Sequence, residues 1–178
     1  MLILETAAVW LLGLKIPAIL WAAPRVLELD DDGCAIEVPL GFRTRNHVGS
    51  LYVGVLAAAA DVAAGLNAYR AIRRGHRDVV PIFKELHADF LKRADGDTVF
   101  RSRQGREVAQ AVAQADESGD RVTLPVEVVA TVPRKYGEEP VARFTLGLSL
   151  RRRDAVLSRI EPAVRIGYSQ TRIDQPRA

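Results

Sequence analysis

In the stretch RNHVGSLYVGVLAAAADVAAGL, Arg45 to Leu66, Asp61 is the single acid among small and apolar residues. A helix here, at about 100° per residue, sorts by size rather than by polarity. Leu51, Val55, Val62, Leu66 and Tyr69 gather on one side, and Gly54, Ala57, Ala58, Ala64, Gly65 and Ala68 on another, with Asp61 at its centre. So slim a face lets a sheet, a second helix or a ligand approach the backbone closely. An unpaired buried charge is costly. The acid is therefore either bonded to nearby backbone N–H groups or an arginine, or held for chemistry as a general base or nucleophile.

The other reactive groups are less concentrated. Glu85, His87 and Asp89 alternate along one strand face, but no second cluster completes a metal site, so a solvated face and no metal are expected. His47 reads as a hydrogen-bonding loop residue beside Arg43 and Arg45. Ser50 has no base near it in sequence and suits a helix cap better than a nucleophile. Cys34, in DDGCAIEV, adjoins acids that raise a thiol pKa and is expected to be a packed strand residue. As the only cysteine it cannot form an internal disulfide, which points to a reducing, cytoplasmic setting.

The elements that must position Asp61 follow from pattern. The 178 residues, 48% hydrophobic and 26% charged, suit one globular domain with short extensions. A net charge of +3 argues against a nucleic-acid partner. MLILETAAVWLLGLKIPAILWAA is apolar, but Glu5, Lys15 and Pro17 interrupt any membrane span, and a pair of short amphipathic helices packed on the domain is expected. PRVLELD, the DDG turn and CAIEVPL form a hairpin. A polar loop leads to a helix from about Ser50, its cap, to Arg73, too short to span a membrane comfortably and with an acid near its centre. Strands are predicted over PIFKELHADFLKRA and GDTVFRS, then a short helix closed by Gly119. Two further strands put Val122, Leu124, Val126, Val128 and Ala130, and then Ala142, Phe144, Leu146, Leu148 and Leu150, on single faces. The order is ααββαββαββ with antiparallel pairing: a helical extension over 1–22, a main domain over 23–153 and a basic extension over 154–178.

At this point the residues resemble a known group. Asn46, Gly49, Gly54 and Asp61 fall at the spacing of Asn-x-x-Gly-x-x-His-Gly-Gly followed by a helical Asp, the motif of phenylacetate-degradation-type acyl-CoA thioesterases of the hotdog superfamily. The likeness runs over about residues 24 to 153 and includes Ala88 to Asp97. NHVGSLYVGVLAAAAD is similar to a branch of hotdog proteins with Tyr and a bulky residue in place of His-Gly, here Tyr52 and Val53. The resemblance implies an α+β fold, with a curved antiparallel sheet wrapped around a long central helix and the N-terminal helices added.

It also implies roles. The backbone N–H of Val53 would polarise a thioester carbonyl, Asp61 would activate water or attack directly, and Asn46 would position water or the acyl group. Gly49, Tyr52, Gly54, Arg43 and Arg45 would line the substrate site. Arg43 and Arg45, ahead of a helix N-terminus where anions bind, would hold coenzyme A phosphates or an acidic carrier protein, unless they are simply a solvated loop. No cofactor is implied beyond the coenzyme A thioester as substrate. Val53 and Asp61 are eight residues apart, roughly 12 Å along a helix, so one thioester carbon cannot touch both in one chain. A homodimer or dimer of dimers follows. The competing expectation is a non-catalytic acyl-CoA or acyl-carrier binding protein in which the Val53 side chain blocks attack.

Overall fold

The computed structural model describes residues 1–76 and 78–153, so the basic extension 154–178 lies outside the described residues. Along the chain come α1 (Ile3–Gly13), α2 (Pro17–Ala22), β1 (Arg25–Leu29), β2 (Cys34–Val38), α3 (Val53–Gly75) and β3 (Val79–Phe90). They are followed by β4 (Thr98–Ser102), α4 (Gly105–Ser118), β5 (Val122–Thr131), the four-residue α5 (Pro133–Tyr136) and β6 (Pro140–Arg152). Six antiparallel strands form one sheet in the order β1-β2-β4-β5-β6-β3, wrapped on α3 as expected for a hotdog domain.

Alternation builds the core. The inward residues of β6, namely Ala142, Phe144, Leu146, Leu148 and Leu150, are all buried, as are Val126, Val128 and Ala130 of β5. α3 presents Val55, Leu56, Ala59, Ala60, Ala63 and Leu66 to them. It is the one helix among the described residues long and apolar enough to cross a bilayer, and here it is the core helix. α4 packs Val108, Ala111, Val112 and Ala115, a single helical stripe, and ends at Gly119, whose φ of 73° is the left-handed conformation a glycine cap supplies. Cys34 is buried against α3, its thiol donating to the Ala63 carbonyl at 3.0 Å, and desolvation pushes its pKa up to about 12. It is a packed strand residue, as its sequence context suggested.

Two expectations need correction. α3 begins at Val53 with Tyr52 as its cap residue, and no side chain caps it. Ser50 is occupied elsewhere: its N–H and hydroxyl bond Asn46 Oδ1 at 3.1 and 3.4 Å, and its Oγ accepts from Asn46 Nδ2 at 3.2 Å. The N-terminal helices are not amphipathic in the expected sense. α1 and α2 do bury Val9, Ile19 and Ala22, but Ile3, Leu4, Trp10, Leu11, Leu14, Ile16 and Trp21 remain exposed.

Candidate functional site

The loop before α3 is a closed structure that aims the helix start. Asn46 Oδ1 accepts from the Val48 N–H at 3.0 Å as well as from Ser50, and the Gly49 N–H donates to the Asn46 carbonyl at 3.2 Å. Gly49 has φ +78°, which explains a glycine three residues after the asparagine. The loop is then sealed by Tyr52 N–H to Thr44 O and Leu51 N–H to Ala94 O, both 2.9 Å. The Asn46 side chain thus holds its own loop. Arg45 bridges Leu51 through the backbone, and Arg43 accepts a 2.6 Å bond from Trp21 Nε1 at its carbonyl. The side chains of Arg43, Arg45 and His47 are exposed.

At the helix start, Val55 and Leu56 donate to the Tyr52 carbonyl at 2.9 and 3.0 Å. The Val53 and Gly54 amides come before any intrahelical acceptor and remain donors at the positive end of a 23-residue helix. Val53 is half exposed. Tyr52 folds its ring over Gly54, where an added Cβ would stand 2.6 Å from the ring.

From there the slim stripe runs along α3 through Ala57, Ala58, Asp61 and Gly65, each neither fully buried nor fully exposed. The Phe83 ring lies over Gly65, 3.5 Å from where a Cβ would sit. Two aromatic rings therefore bracket Asp61, each seated where a glycine leaves room. The bare backbone at Gly65 hinted that something approaches, but only the register of β3 supplies Phe83.

Burial raises the Asp61 pKa above its ordinary value, and no hydrogen bond or positive charge among the described residues offsets that burial. The alternative of an acid bonded to backbone amides or an arginine has no counterpart among the described residues.

The stripe opens beside β3, which is the last strand of the sheet and pairs only with β6. Leu86, Ala88 and Phe90 sit opposite Leu146, Phe144 and Ala142 and continue the buried face of β6 outward. Phe90 even meets Phe144 edge-on at 6.1 Å. Yet Leu86 is 45% and Phe90 54% exposed, because the apolar face outruns the cover of α3.

Elsewhere, a cleft of about 400 Å³ opens at the far end of α3, lined by Asn67, Arg70, Arg74, His76 and Arg106 among others. Its arginines are paired with Asp31 and Asp32, and His76 Nδ1 lies 2.8 Å from Asp116. It contains none of the residues that carry the resemblance. On β3 Glu85 lies over Gly147, on the face that His87 and Asp89 share opposite Thr145 and Arg143, and the latter two are exposed and 3.6 Å apart. Among the described residues no three such side chains converge on a metal-sized site.

Sheet, helix and stripe define a hotdog domain of the thioesterase-like superfamily. The chain belongs to the DUF4442 family, a domain of unknown function whose model matches residues 5–148, taking in most of α1 and all of α2. A Pseudomonas aeruginosa protein of unknown function, described as a probable thioesterase, is 25% identical, with a TM-score of 0.65 over 82% of this chain and 94% of that one. A Chlorobaculum tepidum protein of unknown function shares the fold at TM-score 0.71 and 13% identity, covering 85% and 95% of the two chains. A Haemophilus influenzae thioesterase does so at 0.56 and 13%, covering 76% and 82%. No curated protein matches the chain.

Proposed function

We propose that this protein hydrolyses acyl thioesters of coenzyme A or of an acyl-carrier protein, in a cytoplasmic homodimer or dimer of dimers whose sites are shared between chains. The observation that carries the reading is Asp61: a desolvated carboxylate without a partner among the described residues, on a stripe left half open beside an uncovered sheet edge. The exposed apolar continuation of the core at Leu86 and Phe90 supports a second copy there. The likeness to a probable thioesterase supports the reaction class.

In this mechanism the Val53 N–H of one chain holds the carbonyl oxygen. Asp61 of the other takes a proton from water as the water oxygen bonds to the carbonyl carbon. The tetrahedral oxyanion collapses, the C–S bond breaks, and Asp61 returns its proton to the leaving thiolate. A carboxyl with a raised pKa is suited to this exchange near neutral pH. Arg43 and Arg45, exposed ahead of the helix start, meet the phosphates of coenzyme A or the acidic face of a carrier.

The test mixes two inactive variants. Asp61→Ala removes the base. Val53→Pro removes the amide, yet proline suits the first helical position, and Tyr52 already has the extended backbone (φ −67°, ψ 139°) that a residue before proline requires. Each variant alone should be inactive toward a panel of short-, medium- and long-chain acyl-CoAs. Mixed and re-equilibrated subunits should recover roughly a quarter of wild-type turnover, since half the dimers are hybrids with one intact site of two. Recovery of nothing from dimers that do exchange, or a wild type inert to the whole panel, overturns the proposal.

One observation favours a second reading, an acyl-CoA or acyl-carrier binding protein without turnover. The Asn46 side chain is spent on its own loop, and the Val53 side chain and Tyr52 ring stand at the helix start where a water and a carbonyl would meet. Ligand binding unaffected by Asp61→Asn, without turnover by wild type, is its signature.

A further inference from the structure

The N-terminal helices carry a surface that, apart from Arg43 and Arg45 at its edge, the hotdog site does not use. Leu4, Ala7, Leu11 and Leu14 recur at three- and four-residue spacing and are exposed together, flanked by Ile3 and Trp10. Leu4 is 81% exposed. α2 continues the surface with Ile16 and Trp21, and the Trp21–Arg43 hydrogen bond ties it to the neighbouring loop, whose Phe42 is 87% exposed. Several large apolar side chains on adjoining segments exceed what scattered surface hydrophobics explain.

The charge around this face is one-sided. Lys15, Arg43 and Arg45 are exposed and have no acidic partner among the described residues. Elsewhere on the molecule Arg25, Arg70, Arg74, Arg101, Arg106 and Lys135 pair with carboxylates, while the exposed Lys84, Arg93, Arg103 and Arg143 have no ion pair among the described residues and belong to other segments of the chain. The only acid in the first 24 residues is Glu5, half buried. A second copy docking on this face about a two-fold axis would bring three unneutralised cations against the same three.

We propose that the exposed face of α1 and α2, with the Phe42 loop, docks this protein on anionic lipid bilayers. Apolar side chains and two indoles rimmed by base are the chemistry of an interfacial anchor. Eleven residues in α1 span roughly 16 Å, about half a bilayer core, so the helix lies in the surface rather than crossing it. It is also held flat on the domain: Leu2 N–H donates to the Val26 carbonyl at 2.7 Å, and Thr6 Oγ1 accepts from the Val26 N–H at 2.9 Å. β1, which α1 adjoins, is at the opposite sheet edge from β3, so dimerisation through β3 leaves the face free. The inference does not depend on the thioesterase reading.

Both tryptophans of the chain, Trp10 and Trp21, lie on this face, so selectively excited tryptophan emission reports on it alone. The full chain is mixed with phosphatidylcholine vesicles with or without phosphatidylserine, then followed by flotation and tryptophan emission. The expected result is co-flotation with the anionic vesicles, a blue-shifted emission, and weakening of both by salt. Leu11→Ser/Leu14→Ser/Phe42→Ser should lower partitioning by about tenfold or more. Lys15→Gln, which disturbs no packing, should lower it about fivefold. The proposal is overturned by failure to float, by equal binding to neutral vesicles, or by binding that survives the triple substitution. It is equally overturned by a blue shift that tracks protein concentration without vesicles, which assigns the face to a second copy.

Discussion

Replacing Asp61 by asparagine should make the protein inactive and more stable at once. The carboxylate is desolvated by burial, and nothing among the described residues compensates. Its folded-state pKa therefore lies above the unfolded value of 3.8, so the folded state holds the proton more tightly than the unfolded chain does. Stability contributed by this group is then lost as pH rises from the unfolded pKa through the folded one, and the ionised form is a standing cost at neutral pH. Asparagine removes that cost while keeping the shape. Because the site keeps some contact with water, the gain is on the order of 1 kcal/mol, which for a chain of this size is about 2–4 °C in Tm. Thermal unfolding of wild type and variant at fixed protein concentration, from pH 8 down to pH 3, measures it. The two curves should be furthest apart at neutral pH and converge below the unfolded pKa. In parallel, kcat for the best thioester should fall by about a hundredfold or more. A variant less stable than wild type at neutral pH would mean the carboxylate has a stabilising partner, and the reasoning about this helix face would fail.

Leu86→Lys places a charge on the exposed edge strand and should convert the proposed dimer to monomer in sedimentation, removing activity but costing the monomer less than about 1 kcal/mol. Val53→Ala keeps the backbone N–H but trims a side chain that crowds the helix start. It should raise kcat/KM by about two- to tenfold, and a fall would show that the valine assists binding. Gly33→Ala puts a Cβ 2.1 Å from the Ser102 carbonyl oxygen, a clash with backbone that cannot swing aside. Chemical denaturation should show a loss of about 2–3 kcal/mol or more.

Much of this architecture was legible because its strands alternate cleanly. The five inward residues of β6 and the Gly119 helix cap required only period and residue type. What escaped the sequence depended on distant partners. Ser50 looked like a cap until Asn46, four residues back, took both its N–H and its hydroxyl, and Leu51 spends its amide on Ala94, far along the chain. The position of β3 at the end of the sheet, beside β6 rather than β4, is a fact of pairing that no local pattern encodes. Asp61 was visible as an anomaly, but whether it had a partner required three dimensions. The N-terminal helices misled for a different reason: apolar residues in short helices were assigned to packing, and the domain beneath them is too small to cover every side.

The lone thiol beneath α3 offers a clock. Cys34 is sealed between its strand and the Ala63 turn of the helix, and at ordinary pH it is almost wholly in its unreactive form. A thiol reagent can reach it only while helix and sheet are parted. Its rate of modification therefore counts those partings directly, under conditions where the bulk of the molecules stay folded. If a second copy clamps the far side of the same helix, that rate should slow as protein concentration rises, reporting assembly from a sulfur atom that touches no neighbour.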